Sequence, residues 1–321
     1  MRKRRRSDVM GIYNLKKERG MTSRHALNRT QRASRELNLG HAGTLDPLAE
    51  GVLVACANKA TKLLPYIQQL PKEYRAVFLL GKRSDSDDIE QPVEELVDPP
   101  VPTTEQIEAL LPKFVGRIEQ RPPAFSALRV EGRRAYELAQ EGTPPELPPR
   151  TVVVYEIELL RYAYPELELK VLCGSGTYIR ALGRDIAAEL GTAAVMSGLV
   201  RTAVGPFRIE DALAPEEINY ENWREHLLPP RDAVPHLPSV RMTADEVDTI
   251  YRGQPITTEA IDPPRFALPA GAEQPSEFAG LDPEGNLVSI LRKDTQGRFW
   301  PKRNLLPGPQ AKTLPEGYQS L

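Results

Sequence analysis

One carboxylate in this chain is presented in a way that could do chemistry. Asp46 lies in NLGHAGTLDPLAEGVLV, residues 38–54, after Gly40 and Gly43 and directly before Pro47. The glycines let backbone or ligand come close. Pro47 fixes its own φ, offers no N–H and biases Asp46 away from helix. The apolar run from Val52 to Ala55 can anchor the loop in a core. A carboxylate on a stiff loop leaving a buried element is how a nucleophile or general base is commonly presented. An Asp before Pro also makes an ordinary turn, so the residues alone leave both readings open.

Other chemistries fit less well. A hydrolase would need a second carboxylate or a histidine base beside Asp46. Glu50 and His41 are near in sequence, but neither spacing compels a pair. The acidic run SDSDDIE at 84–90 imitates a calcium loop, yet Glu90 stands where an EF-hand needs glycine. The histidines at 25, 41, 226 and 236 have no mutual metal-ligand spacing. No GxxxxGK occurs, and no GxGxxG opens a helix after a strand. No metal and no cofactor are therefore expected.

Several elements must position Asp46. Residues 23–37 repeat Ala26, Leu27, Thr30, Ala33 and Leu37 at helical spacing, with Thr22 or Ser23 as cap and Gly40 beyond the end. Tyr74 to Leu80 is rich in strand formers and stops at Gly81. Residues 105–115 predict a helix that Pro112 interrupts. Residues 151–162 and 166–172 predict two strands joined by a short turn. Tyr178 to Leu190 predicts a helix stopped by Gly191. Strand-like stretches at 286–292 and 298–302 flank an Asp-Thr-Gln-Gly turn. Strands and helices mix without βαβ alternation, which predicts an α+β fold with a mixed, largely antiparallel central sheet flanked by helices.

The 321 residues suffice for two domains. The 31 prolines concentrate in connections, and the cluster at 229–238 reads as a boundary. The expected layout is a basic tail at 1–8, a catalytic domain at 9–235 and a small β-rich domain at 236–321. Two cysteines far apart offer no disulfide framework and fit a cytoplasmic protein. No stretch approaches the roughly 18 apolar residues of a membrane helix. The net charge of −2 does not announce a nucleic-acid partner. Its distribution matters more: bases collect at 117–134 and acids at 85–95, which allows a basic face on a nearly neutral protein.

Five ordered blocks resemble the TruB family of tRNA pseudouridine synthases: GIYNLKKERGMTS at 11–23, GHAGTLDPLAEGVL around Asp46, KEYRAVFLLGKRSDSDD at 72–88, PPAFSALRVEGRRAYELAQEG at 122–142 and CGSGTYIRALGRDIAAELG at 173–191. The resemblance runs over roughly residues 9–235, with a weaker echo to the end. It implies the pseudouridine synthase fold closed by a PUA-like RNA-binding domain. It implies isomerisation of uridine at position 55 of the tRNA T-loop, with Asp46 as nucleophile or ribose base. Tyr74 would stack on the target base, Arg180 would pair with Asp46, and Tyr178 and Leu199 would wall the pocket. His41 would stand beside the flipped-out nucleotide. Lys17, Arg129, Arg133 and Arg134 would touch RNA, the last three from an insertion at about 122–150 that is mobile until RNA binds. The partner would be the tRNA T-arm, met by a monomer.

The sequence departs from the family at Lys16-Lys17-Glu18, where Asp-Lys-Pro is usual, at Asn38, where a base is usual, and at Ser175, where lysine is common. These changes bear on peripheral RNA contacts. Two rival readings are an RNA remodeller without catalysis and a guide-directed synthase acting on ribosomal RNA.

Overall fold

The computed structural model describes residues 9–34, 37–126, 128–130 and 132–305. The basic tail at 1–8 and the end of the small β-rich region, 306–321, lie outside them.

The chain begins with β1 (Gly11–Lys17), α1 (Ser23–Ser34), β2 (Leu39–His41) and β3 (Glu50–Ala57). A 3-10 turn and α2 (Leu64–Gln69) lead to β4 (Lys72–Leu80). The two-residue strands β5 (Lys82–Arg83) and β6 (Glu94–Glu95) bracket the acidic loop. Next come α3 (Thr104–Leu110) and β7 (Gly116–Gln120). The basic segment then folds into β8 (Arg129–Val130), β9 (Arg133–Arg134) and α4 (Ala135–Gln140). The long hairpin of β10 (Arg150–Ala163) and β11 (Glu166–Cys173) is followed by α5 (Ile179–Glu189), β12 (Ala194–Val204) and β13 (Phe207–Arg208). The last part holds β14 (Ser239–Arg241), α6 (Ala244–Tyr251), β15 (Ile261–Asp262), β16 (Glu277–Leu281), β17 (Leu287–Lys293) and β18 (Phe299–Asn304).

Nine strands form the main sheet, in the order β1-β3-β12-β4-β11-β10-β7 with β2 on β3 and β13 on β12. Every pair is antiparallel except β3 with β12, which meet in parallel over Val200–Glu50 and Arg201–Gly51. That approach is close: a Cβ on Gly51 would stand 2.2 Å from the Arg201 carbonyl oxygen, and Gly51 has a φ of 104°. Alternation of buried and half-exposed residues along β4 and β11 gives one face to a helical layer. There α5 lies so near that a Cβ on Gly183 would enter the Phe78 ring. The expected α+β fold with a mixed, largely antiparallel sheet is therefore present.

Element ends follow local chemistry. The predicted helix at 105–115 is α-helical only to Leu110 and continues as a 3-10 turn through Phe114, because Pro112 has no N–H to donate. Helix α1 is described to Ser34; residues 35 and 36 lie outside the described residues, and the expected last residue, Leu37, is not helical. Of the two caps expected for it, Thr22 serves, accepting from the His25 N–H at 3.1 Å.

A second, five-stranded sheet runs β15-β14-β16-β17-β18. Its own core holds Val240, Met242, Ile250, Val288, Leu291 and Phe299. Another apolar cluster joins it to the main sheet: Ile12, Val52, Val54, Ile67 and Leu70 pack with Val234, Leu237, Leu287, Ile290 and Leu305. The proline-rich segment thus carries buried residues that take part in this contact.

Candidate active site

The loop carrying Asp46 is fastened residue by residue. Arg201 Nη2 donates to the Gly43 carbonyl at 3.2 Å. The Ser23 hydroxyl accepts from Leu45 N at 2.9 Å and donates to Leu45 O at 3.0 Å. The Pro47 carbonyl accepts from Gly20 N at 2.7 Å and, at 3.4 Å, from the Lys17 ammonium. Ala49 N closes a turn onto Asp46 O at 3.0 Å. Leu45, Leu48 and Ala49 sink into the main core. The Asp46 side chain is left open at 37% exposed. A fixed backbone with an open carboxylate costs little reorganisation during a reaction.

Arg180 meets Asp46 from the first turn of α5, with Nη2 3.0 Å from Asp46 Oδ2. The guanidinium is 5% exposed and serves several acceptors at once. Nη1 donates to Ser86 O at 2.8 Å and stands 3.1 Å from Asp88 Oδ2, an ion pair off the hydrogen-bonding line. Nη2 also donates to Phe125 O at 2.9 Å. Asp88 is buried, and its other oxygen accepts from the Ser86 hydroxyl at 2.5 Å and the Glu90 N–H at 3.0 Å. One turn further along α5, Arg184 pairs with Asp87 at 2.8 Å. The acidic run is therefore the counter-surface of α5. Its charges seat two arginines, a role that no sequence spacing announced, because the partners are almost a hundred residues away.

Below Asp46 lies a second buried arginine. Arg201, 2% exposed, stands opposite Tyr74 across β12 and β4 and donates through Nε to Val52 O at 2.7 Å. Burial pushes the Tyr74 phenol well up, against the pull of the Arg201 charge, so the hydroxyl stays protonated. Leu199, two residues before Arg201, is buried in the same cluster as Tyr74, Leu45 and Leu48. His41 sits half-buried on β2 with Nδ1 enclosed and without a hydrogen-bond partner. Burial lowers its pKa, which keeps the ring neutral and suits a planar group that stacks. Tyr178 occupies the N-cap position of α5, two residues before Arg180.

Lys17 departs from its expected place. It is fully buried, and its ammonium donates to the carbonyls of Glu18, Met21 and Pro47. Burial lowers its pKa to about 8, the Asp46 charge opposing. Here it fastens the Asp46 loop and has no surface for RNA. Arg129 and Arg133 lie on the β8–β9 hairpin, exposed, with Arg133 paired to Glu141. The Arg134 side chain lies outside the described residues.

Sequence reasoning missed Asp88, Arg201 and Ser23. Asp88 sat in a run that imitates a calcium loop, Ser23 reads as a cap, and no motif singles out Arg201. Among the described residues no group of three or more His, Cys, Asp or Glu could hold a metal ion. No helix among them is long and apolar enough to cross a membrane.

Residues 31–179 match the family model described as the TruB family pseudouridylate synthase, N-terminal domain. A tRNA pseudouridine synthase B from Synechocystis sp. is 41% identical, over 77% of this chain and 85% of that protein. Another from Rhodopirellula baltica is 35% identical, over 95% of this chain and 97% of its own length. Among solved structures, a chain of a Cbf5–Nop10–Gar1 complex superposes with a TM-score of 0.69 at 26% identity, covering 92% of this chain and 85% of that one.

Proposed function

The chain belongs to the TruB family of pseudouridylate synthases, and from that premise we propose that it converts uridine to pseudouridine in the T-loop of tRNA, at position 55. The observation that carries this reading is the pair of Asp46 and Arg180. An outward carboxylate on a fastened loop has a guanidinium 3.0 Å away, itself held by a second, buried carboxylate. Arg180 orients the carboxylate through Nη2, while its Nη1 is held by Ser86 and Asp88. Asp46 then attacks C1′ of the ribose or removes a ribose proton, and both routes use the same open oxygen.

Either way the N1–C1′ bond breaks, uracil is retained as an anion, turns, and rejoins C1′ through C5. The C5 proton leaves and N1 gains one, so atoms and electrons balance without a redox partner. A protonated Tyr74 phenol suits a ring that faces a uracil anion. His41, Tyr178 and Leu199 complete the pocket for a base taken out of its stack. Arg129, Arg133 and Arg134 grip the RNA backbone from the insertion at 122–150, which orders on binding. Residues 9–235 serve as the catalytic domain and 236–321 as the PUA-like RNA-binding domain of a cytoplasmic monomer.

The test is direct. Unmodified tRNA transcript carrying tritium at uridine C5 is incubated with the protein, tritium release is counted, and the modified position is mapped. Release at a T-loop uridine is expected. Tight tRNA binding without release would leave a non-catalytic remodeller, and release confined to guide-paired ribosomal RNA would move the substrate.

A further inference from the structure

Helix α5 carries Arg180 in its first turn, yet no side chain of its own caps it. The start of the helix is held from the sheet instead. Gln120, the last residue of β7 and 1% exposed, accepts from Tyr178 N through Oε1 at 2.8 Å and donates to Tyr178 O through Nε2 at 3.0 Å. Only this orientation of the amide satisfies both groups. Directly opposite Gln120 in the strand register stands Arg150, the first residue of β10. Its guanidinium lies 4.8 Å from the centroid of the Tyr178 ring, and its Nη2 donates to Gly176 O at 2.8 Å. One rung of the sheet therefore holds one tyrosine twice, at the backbone by Gln120 and at the ring by Arg150.

We infer that Gln120 and Arg150 form a cross-strand pair of positioning residues that sets the Tyr178 ring and, through the first turn of α5, the Arg180 guanidinium beside Asp46. Neither residue reaches Asp46 in the described structure. Their effect passes through the helix start, where the peptide of Tyr178 precedes Arg180 by two residues. Tyr178 O also accepts from Leu182 N at 3.0 Å, so a shift at this carbonyl is felt by the opening helical bond. The inference rests on the proposed isomerase activity for its meaning, and its geometry stands without it.

Three variants test it: Gln120→Met, which keeps shape and removes both hydrogen bonds; Arg150→Lys, which keeps charge and loses the planar stack; and Thr151→Val. The last removes a hydroxyl bonded to Glu119 on the next rung of the same two strands, and serves as the control for general damage to the pair. Each is measured for single-turnover tritium release, for tRNA affinity and for amide exchange over residues 176–182.

Gln120→Met should slow turnover about 10- to 100-fold, since displacement by an ångström costs that much. Its tRNA affinity should stay within about threefold, a loss in the chemical step and not in binding. Amide exchange at the start of α5 should rise on the order of tenfold. Arg150→Lys should fall between Gln120→Met and the parent, and Thr151→Val should match the parent in all three measurements. The inference is overturned if Gln120→Met keeps the parent's rate and exchange, or if Thr151→Val loses as much. A parent protein that releases no tritium from any tRNA defeats the proposed activity, whereas the exchange comparison needs no turnover and still decides the positional claim.

Discussion

Two buried seams border the main sheet, and they treat charge in opposite ways. Along the first, α5 meets the Asp46 loop and the acidic run. Arg180 there has two carboxylates and two carbonyls, and Arg184 has Asp87, Asp185 and a carbonyl. Along the second, the five-stranded sheet packs on β1, β3 and α2 through largely apolar side chains, with Tyr66 donating to Glu277 at its border. Among the ionisable groups buried there, His236 is 2% exposed, and neither ring nitrogen has a hydrogen-bond partner. Burial lowers its pKa to about 4. The difference teaches what each seam is for. Charges are kept and matched where a carboxylate must be held ready, and a titratable ring is simply left neutral where only packing is required.

The sharpest way to break the first seam is at its open end. Asp46→Asn should abolish turnover, by about 10⁴-fold or more, while tRNA affinity changes by a few-fold at most. Its stability should be nearly that of the parent, because the Asp46 side chain is over a third exposed and exposed pairs contribute little. Retained turnover would end the catalytic assignment. At the closed end of the same seam the order reverses. Asp88→Asn leaves Arg180 buried with one carboxylate fewer, and should cost about 3–5 kcal/mol in urea unfolding. Equal stability losses in the two variants would erase the distinction between the open and closed ends.

Much of this site was legible in the chain, and the rest was not for a definite reason. The loop around Asp46 announces itself through Gly43, Asp46 and Pro47, because backbone restraint is written in residue type. The strands expected at 74–80, 151–162 and 166–172 and the helix expected at 178–190, each present in the structure within a few residues, follow from periodicity and glycine stops. Sheet order does not, since it depends on which strands meet. Arg201 stands opposite Tyr74 only because β12 inserts between β3 and β4. Lys17 misled for the same reason. A lysine in a family block reads as a phosphate contact until burial shows three carbonyls around its ammonium.

The second seam is tested with acid. A histidine whose folded pKa is depressed contributes stability above its unfolded pKa, about 6.5, and loses it as pH falls toward about 4. The protein should therefore weaken by about 3 kcal/mol across that window from His236 alone. His236→Leu should remove that part of the slope. Tyr66, Arg117, Glu273, Glu277, Lys302 and Arg303 line the same cleft, so the comparison is made at fixed ionic strength. An unchanged slope in His236→Leu would show that the ring finds a partner when charged, and the contrast between the seams would fail.

The smallest expected effect lies at the fastening of the Asp46 loop. Ser23→Ala strands both polar groups of the buried Leu45 backbone. A loss of about 1–3 kcal/mol in urea unfolding is expected. Turnover should fall with it, by more than Thr22→Ala causes, since Thr22 caps α1 without touching the loop. If the two serve turnover equally, helix stability and not loop fastening was at stake.

The segment 121–149 departs from the sheet at Gln120 and returns at Arg150, residues that face each other in register. Neighbouring strands stand about 4.8 Å apart, so both ends of the segment are anchored at nearly the same point. A loop tethered in this way is a graftable module. Doubling its length costs only about 0.6 kcal/mol of closure entropy, and no strand need shift to admit a new one. Inheritance can therefore retailor what this region grips while the carboxylate chemistry beneath it is passed on unaltered, provided the two anchoring side chains are kept.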